Sequence, residues 1–408
     1  MPTVNAHKIL YEAPSNDDFL QRISIDEGVE SRLKEARDEI RRHVRQGIKQ
    51  WEDRIEKREL FGAHISNQLD PPSLQPRFRT QGSFAYHTVN DPAFNPPQEV
   101  DFDDGLFLPV AFFEKNGLRS PAVASKAFFG LVENVLLPLC RKNGWVLVDN
   151  KPSCVRVKLF AGAHYDLPLY AVADETFSTI LEKRATKILR ESGRQALKDS
   201  ITLDEDVYRG LDSSDIMLAH RDKGWIESDP RKLDDWFVGA VSSHGAQIRR
   251  VCRYLKAWRD YNWPNADACK LSSITLMQCA VMAFDELKSR ISQSRDDLAL
   301  YHVASRLPEY LSGDVANPVL KGSILNDNWD SAQRSDYVQK ARSLQHAIRN
   351  ALEIHDDSRG VISQFRNVLG PRVPDDVSLV VFEASAAVIR SYEPAKLPQP
   401  NVTRSTSG

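Results

Sequence analysis

Long hydrophobic runs are missing from this 408-residue chain. No stretch of about 18 apolar residues occurs, so no transmembrane helix is expected. The opening residues, MPTVNAHKILYEAPSNDD, lack a basic stretch followed by an apolar one, so no secretion signal is expected. Cysteine is scarce. The five present, Cys140, Cys154, Cys252, Cys269 and Cys279, form no CxxC pair. That spacing argues against a structural zinc site and fits reduced, buried thiols in a cytosol. Net charge is nearly absent, since 54 Lys and Arg face 56 Asp and Glu, leaving −2. A nucleic-acid coat needs a broad basic surface, so no stable nucleic-acid partner is expected, although local basic patches stay open. Apolar residues at 41% and charged residues at 27% exclude collagen-like, low-complexity and disulfide-scaffold classes. Length suggests two or three domains, and no internal repeat is visible.

Hydrophobic spacing supplies the elements. From Glu27 to about Leu60 there is no proline, and Val29, Leu33, Ala36, Ile40, Val44, Ile48 and Ile55 recur at helical steps. This predicts a spine helix about 45 Å long, apolar on one face and dense with Arg, Lys and Glu on the other. Residues 71–97 hold six prolines and read as loop-rich. VDFDDGLFLPV (100–110) alternates as a strand, and VLVDN (146–150), CVRVKLF (154–160) and HYDLPLYAV (164–172) read likewise, with a helix at 122–142. Beyond residue 200 the pattern turns helical. Helices are expected at 177–198, 230–239, 244–262, 273–290, 295–312, 330–356 and 358–368. The tail 391–408 reads as extended or disordered.

The densest chemistry is QGSF (81–84) followed by EVDFDDG (99–105). Alternate strand residues share a face, so Asp101 and Asp103 point the same way, about 6.5–7 Å apart. Val100 and Phe102 point to the other, buried face. Carboxylates that close repel unless a cation lies between them, and Mg²⁺ takes one or two carboxylates plus substrate phosphates. Alone, such a pair is more often a solvated strand edge. The upstream Gly82-Ser83 turn lets backbone N–H groups approach phosphate oxygens. Asp166, set among apolar residues in HYDLPLYAV, is costly to bury unless it is paired or metal-bound. Gly-Ser, then DxD, then a third Asp on a later strand is the order of the polymerase-β-type nucleotidyltransferase fold. Asp104, by alternation on the Phe102 side, reads as a turn residue before Gly105.

The segment QGSFAYHTVNDPAFNPPQEVDFDDGLFLP resembles the active-site segment of the cGAS/DncV-like nucleotidyltransferases (CD-NTases) of bacterial CBASS antiphage systems, DncV-type or clade A branch. The long Pro-rich spacer between Gly-Ser and the first Asp is typical there. The resemblance continues through HYDLPLYAV, SDIMLAHRDKGWIESDPRKLDDWF (214–237), RRVCRYLKAWRD and LSSITLM (249–277). It implies an α+β fold: a polymerase-β-type nucleotidyltransferase core of mixed β-sheet and flanking helices, a helical C-terminal lobe, and a long N-terminal spine helix. It implies that Asp101, Asp103 and Asp166 are catalytic and hold two Mg²⁺ ions, which Mn²⁺ could replace. It implies that Gln81, Gly82 and Ser83 cradle the donor triphosphate and that Tyr86 stacks on a base. Lys256 would grip the triphosphate. Ser272, with Ser273 as an adjacent alternative, would open the next helix as an anion site. Arg156 would stand near the acceptor nucleotide.

The domains expected are an N-terminal segment 1–26, spine helix and catalytic core 27–200, helical lobe 201–390 and flexible tail 391–408. The resemblance implies an enzyme that joins ATP and/or GTP, by two successive transfers, into a 3′,3′-cyclic dinucleotide, foremost cyclic GMP–AMP, that activates an antiviral effector. Rival expectations are a linear-product or RNA-end nucleotidyltransferase, and an inactive nucleotide sensor. The chain ends in Gly408, which suggests conjugation by an E1–E2-like CBASS protein.

Overall fold

A computed structural model describes residues 3–52, 76–173, 213, 216–383 and 390, apart from positions 111, 116–117, 122, 150, 266–268 and 288. The expected helix at 177–198, the spine residues from Ile55 to Leu60, and the tail with Gly408 lie outside the described residues. The chain divides into two compact units: Ser24–Val238, and Met1–Ile23 together with Gly239–Gly408. The expected boundary at 200 falls among residues outside the described set.

The chain begins with strand β1 (Val4–Asn5) and single helical turns at His7–Leu10 and Phe19–Arg22. Next come α1 (Glu27–Glu52), β2 (Arg77–Thr80), a helical turn at Gly82–Ala85 and β3 (Val100–Val110). A hairpin, β4 (Phe112–Lys115) and β5 (Leu118–Pro121), leads to α2 (Ser125–Asn143). Then follow β6 (Val146–Val148), β7 (Cys154–Phe160), β8 (Ala163–Ala173), β9 (Ile216–His220) and β10 (Gly224–Glu227). The rest is helical: α3 (Pro230–His244), α4 (Gln247–Asn262), α5 (Ser273–Asp285), α6 (Asp296–Ser312), α7 (Ser331–Arg349) and α8 (Ser358–Leu369), closing with β11 (Val381–Phe382).

In the Ser24–Val238 unit, β3 and β8 run parallel at the centre of a mixed sheet. β2 borders β3, while the free edge of β8 is shared, its first half by β7 and its second half by β9. The predicted stripe holds: Leu33, Ala36, Ile40, Val44 and Ile48 of α1 are buried with Phe128, Val132 and Leu136 of α2 and with Phe102, Val155, Val157, Tyr165 and Leu167 of the sheet. Helices on one sheet face thus leave the other face of the β3–β8–β7 rows for polar residues. β2 lies in the stretch read as loop. Its sequence, RFRT, is too short to show a period, and its backbone pairing with β3 supplies what the pattern lacks.

In the helical unit α4 packs against α5, α6 and α8. Ile248, Val251, Cys252 and Leu255 form its buried stripe. The expected 330–356 helix ends its α-helical part at Arg349 and continues as a π turn over Asn350–Ile354. β1 pairs with β11, so the first residues of the chain join its last described strand.

Candidate active site

The register of the central strands assembles the site. β3 and β8 place Asp101 beside His164 and Asp103 beside Asp166. The antiparallel neighbour β7 places Lys158 beside His164 and Arg156 beside Asp166. With a side-chain period of two, these six residues share one face. The opposite face carries Phe102, Tyr165 and Val157 into the core. So the aspartates taken from the sequence, Asp101, Asp103 and Asp166, do stand on one face of adjacent strands.

The Gly-Ser turn closes over them. Gln81 N–H donates to the Asp103 carbonyl at 2.9 Å, tying the loop to the DxD strand. Gly82 has φ +61°, and a Cβ there would run into the Asp103 carboxylate. Only glycine satisfies both the left-handed backbone and that close approach. Gly105 likewise leaves room for the Gln81 side chain, whose Oε1 accepts from Tyr170 OH at 3.3 Å. Ser83 sits in the same turn, and its carbonyl accepts from Thr88 N–H at 2.8 Å. Tyr86 is half-buried, its ring edge-on to Phe237 with centroids 5.8 Å apart. Burial, then the Asp234 and Asp103 carboxylates, pushes its phenol pKa up.

Arg156 forms a bidentate pair with Asp166, Nε to Oδ1 at 2.6 Å and Nη2 to Oδ2 at 2.5 Å. The resemblance implied a place near the acceptor nucleotide; the structure puts the guanidinium on the third carboxylate. Two further residues escaped the sequence argument. His164 lies with its Nε2 3.0 Å from Asp101 Oδ1, and Glu99 accepts from its Nδ1–H at 2.8 Å. Burial works against protonation of His164, but the Asp101 carboxylate outweighs it and its pKa stands above the ordinary imidazole value. His164 shares a strand face with Asp166 by the period of two, but only the pairing of β8 with β3 sets it against Asp101.

Ligand atoms of Asp101, His164 and Asp166 all lie within 4.8 Å of one another, the geometry of a cation site. Asp101 Oδ1 and His164 Nε2 are buried atoms with no aligned hydrogen-bond partner among the described residues. An acidic face with such orphaned atoms fits a divalent cation.

Asp104 corrects the sequence expectation. It faces the Phe102 side as alternation required, but it is a strand residue, fully buried, not a turn. Both of its oxygens meet the Arg41 guanidinium of α1, and Tyr165 OH donates to it at 2.5 Å.

Lys256 and Ser272 belong to the helical unit. Arg249, Arg253 and Lys256 form a row on α4 that alone would read as solvated, yet Lys256 is only 7% exposed. Burial, with Arg259 nearby, brings its pKa down to about 8. Ser272 is the N-cap of α5, its side chain accepting from Thr275 N–H at 3.2 Å. Ser273, its neighbour, accepts instead from Arg259 at 3.0 Å.

The mixed sheet, the acidic face and the glycine turn over it define a nucleotidyltransferase of polymerase-β type. Residues 76–170 match the cyclic GMP-AMP synthase DncV-like nucleotidyltransferase domain, and residues 245–382 match the cyclic GMP-AMP synthase C-terminal domain. The chain is 32% identical to a cyclic GMP-AMP synthase of Vibrio cholerae over 82% of its own length and 75% of the relative's. It is 29% identical to one of Escherichia coli, over 82% of its length and 76% of that protein. The Vibrio cholerae DncV structure in complex with the linear intermediate 5′ pppA(3′,5′)pG superposes with a TM-score of 0.74 and 25% identity, covering 94% of this chain and all of that one. The complex of the same protein with GTP superposes at 0.75 and 26% identity, with the same coverage. The chain belongs to the DncV-like family of nucleotidyltransferases.

Proposed function

We propose that the protein is a cytoplasmic cyclic dinucleotide synthase that joins ATP and GTP into 3′,3′-cyclic GMP–AMP, a messenger for a CBASS antiviral effector. The observation that carries the reading is the register of Asp101 and Asp103 with His164 and Asp166, under a loop hydrogen-bonded to Asp103. The names of the relatives supply the product class. Each transfer would join a ribose 3′-hydroxyl to the α-phosphorus of the partner nucleotide and release pyrophosphate. A second transfer on the linear intermediate closes the ring. Two Mg²⁺ ions held by Asp101, Asp103 and Asp166 would neutralise the triphosphate and acidify the attacking hydroxyl. Gln81, Gly82 and Ser83 would hold the donor phosphates through backbone groups. Lys256 and the N-cap Ser272 of the helical unit would offer charge and N–H donors to nucleotide phosphates. Tyr86 offers an aromatic face to a base, and Arg156 sets the charge and position of Asp166.

The test incubates purified protein with Mg²⁺, ATP and GTP, removes linear triphosphates with phosphatase and weighs the remainder by mass spectrometry. A phosphatase-resistant species with the mass of cyclic GMP–AMP is expected, and none from Asp101→Ala/Asp103→Ala. Linear products only, or RNA tails only, would sink the reading.

A further inference from the structure

One imidazole stands among the carboxylates of the acidic face. His164 is 6% exposed and level with Asp101 across the β3–β8 pair. Its Nδ1 lies 2.8 Å from Glu99 Oε2. An ionised carboxylate only accepts, so Nδ1 carries the proton of that bond and a neutral ring keeps its lone pair on Nε2. Lys158 Nζ, 3.6 Å from the other Glu99 oxygen, steadies the carboxylate from behind. Nε2 itself lies 3.0 Å from Asp101 Oδ1 and 4.0 Å from Asp166 Oδ1. Neither Nε2 nor Asp101 Oδ1 has an aligned hydrogen-bond partner among the described residues. A buried imidazole fixed by a carboxylate on one nitrogen, with the other aimed at two carboxylates, is built like a histidine metal ligand with its outer-shell partner.

We propose that His164 Nε2 is a direct ligand of the cation held by Asp101 and Asp166, oriented by Glu99, and that this nitrogen makes the site prefer Mn²⁺ to Mg²⁺. The inference rests on the cation-dependent reading of this site and adds a ligand and a metal preference to it. Mg²⁺ favours an all-oxygen octahedron and keeps its waters. Imidazole nitrogen is a ligand of first-row transition metals and not one that Mg²⁺ favours, so a mixed nitrogen and oxygen set moves the balance from Mg²⁺ toward Mn²⁺. Arg156 occupies Asp166 from the β7 side, so the ring and Asp101 close the cluster from the other.

The experiment loads full-length protein with substoichiometric Mn²⁺ and records electron spin-echo envelope modulation. Histidine nitrogen coupling is expected, shifting on ¹⁵N-histidine labelling and disappearing in His164→Gln. Mn²⁺ affinity, read by calorimetry with Mg²⁺ as competitor, should fall about 10–100-fold in Glu99→Gln, the usual consequence of losing an outer-shell partner. The Mg²⁺ affinity of His164→Gln should change much less. Bound Mn²⁺ without nitrogen coupling in the wild-type protein would overturn the inference and leave the synthase reading standing; that measurement needs no variant to fold. Unchanged Mn²⁺ binding in Asp101→Asn would put the cation elsewhere and overturn both.

Discussion

Single residues carry the chemistry here under tight constraint, and Gly82 shows it most directly. Its φ of +61° and the adjacent Asp103 carboxylate leave no room for a side chain. Gly82→Ala is therefore expected to push Asp103 out of line while the fold persists. Displacements near 1 Å at a reacting centre reduce rates about 100-fold, so turnover should fall by at least that much with little change in melting temperature. Steady-state kinetics beside calorimetry check it. Lys256 is constrained in the opposite sense, because the fold buries a charge. Its pKa, about 8 in the folded protein, is below its ordinary value of 10.5. Below pH about 8 the fold carries the whole penalty; as pH rises toward 10.5 the folded lysine gives up its proton and the penalty fades. Lys256→Met should thus stabilise the protein at pH 7 by about 3–4 kcal/mol, at ~1.4 kcal/mol per pKa unit, with the gain shrinking toward pH 10. Urea midpoints at the two pH values measure this, and an unchanged midpoint at pH 7 would refute it. Both residues were legible as site candidates, since Gly-Ser and the basic row are patterns of residue type. His164 and Glu99 were not, because a histidine in a strand has no signature until the neighbouring strand is known.

At the scale of elements, a buried ion pair binds the spine helix to the DxD strand. Arg41 of α1 meets Asp104 of β3, with Thr80 of β2 and Tyr165 of β8 closing the group. The DxD strand thus carries the candidate site carboxylates on one face and a buried, ion-paired one on the other. Arg41→Met leaves Asp104 charged and buried, and about 3–5 kcal/mol of stability should be lost in chemical unfolding. Arg41→Met/Asp104→Leu should recover most of it, because an apolar pair replaces a broken ionic one. A double variant no more stable than the single one would show that the pair does more than balance charge. Long amphipathic helices and the strands β3, β7 and β8 were readable from spacing. The hairpins β4–β5 and β9–β10 and the strand β2 were not, since short strands owe their form to backbone pairing with distant partners.

For the whole molecule, the first residues belong with the last. Thr3 N–H donates to Leu352 O at 2.9 Å, Glu383 N–H donates to Thr3 O at 2.8 Å, and Ala6 N–H donates to Asp297 Oδ2 at 2.9 Å. Arg295 bridges Asp297, Glu383 and the Val4 carbonyl. Val4, Ile9 and Leu10 are fully buried. Each such side chain contributes about 1.5–3 kcal/mol on burial, so deleting residues 1–10 should destabilise the helical unit by several kcal/mol. Hydrogen exchange should report lost protection in α4, α6 and α8, with protection in β3 and β8 kept. Equal loss in both units would contradict the division described.

The sequence by itself determined the period of each long element, the acidic strand with its glycine turn, and through these the class of enzyme. Those properties are local, set by which residues recur every two or every three to four positions. Tertiary structure alone decided which strand lies beside which, and so that His164 stands with Asp101, that Arg156 clamps Asp166 and that Asp104 pairs with Arg41. Pairing register is a relation between distant segments, fixed by burying one face of the sheet against α1 and α2, and no local pattern carries it.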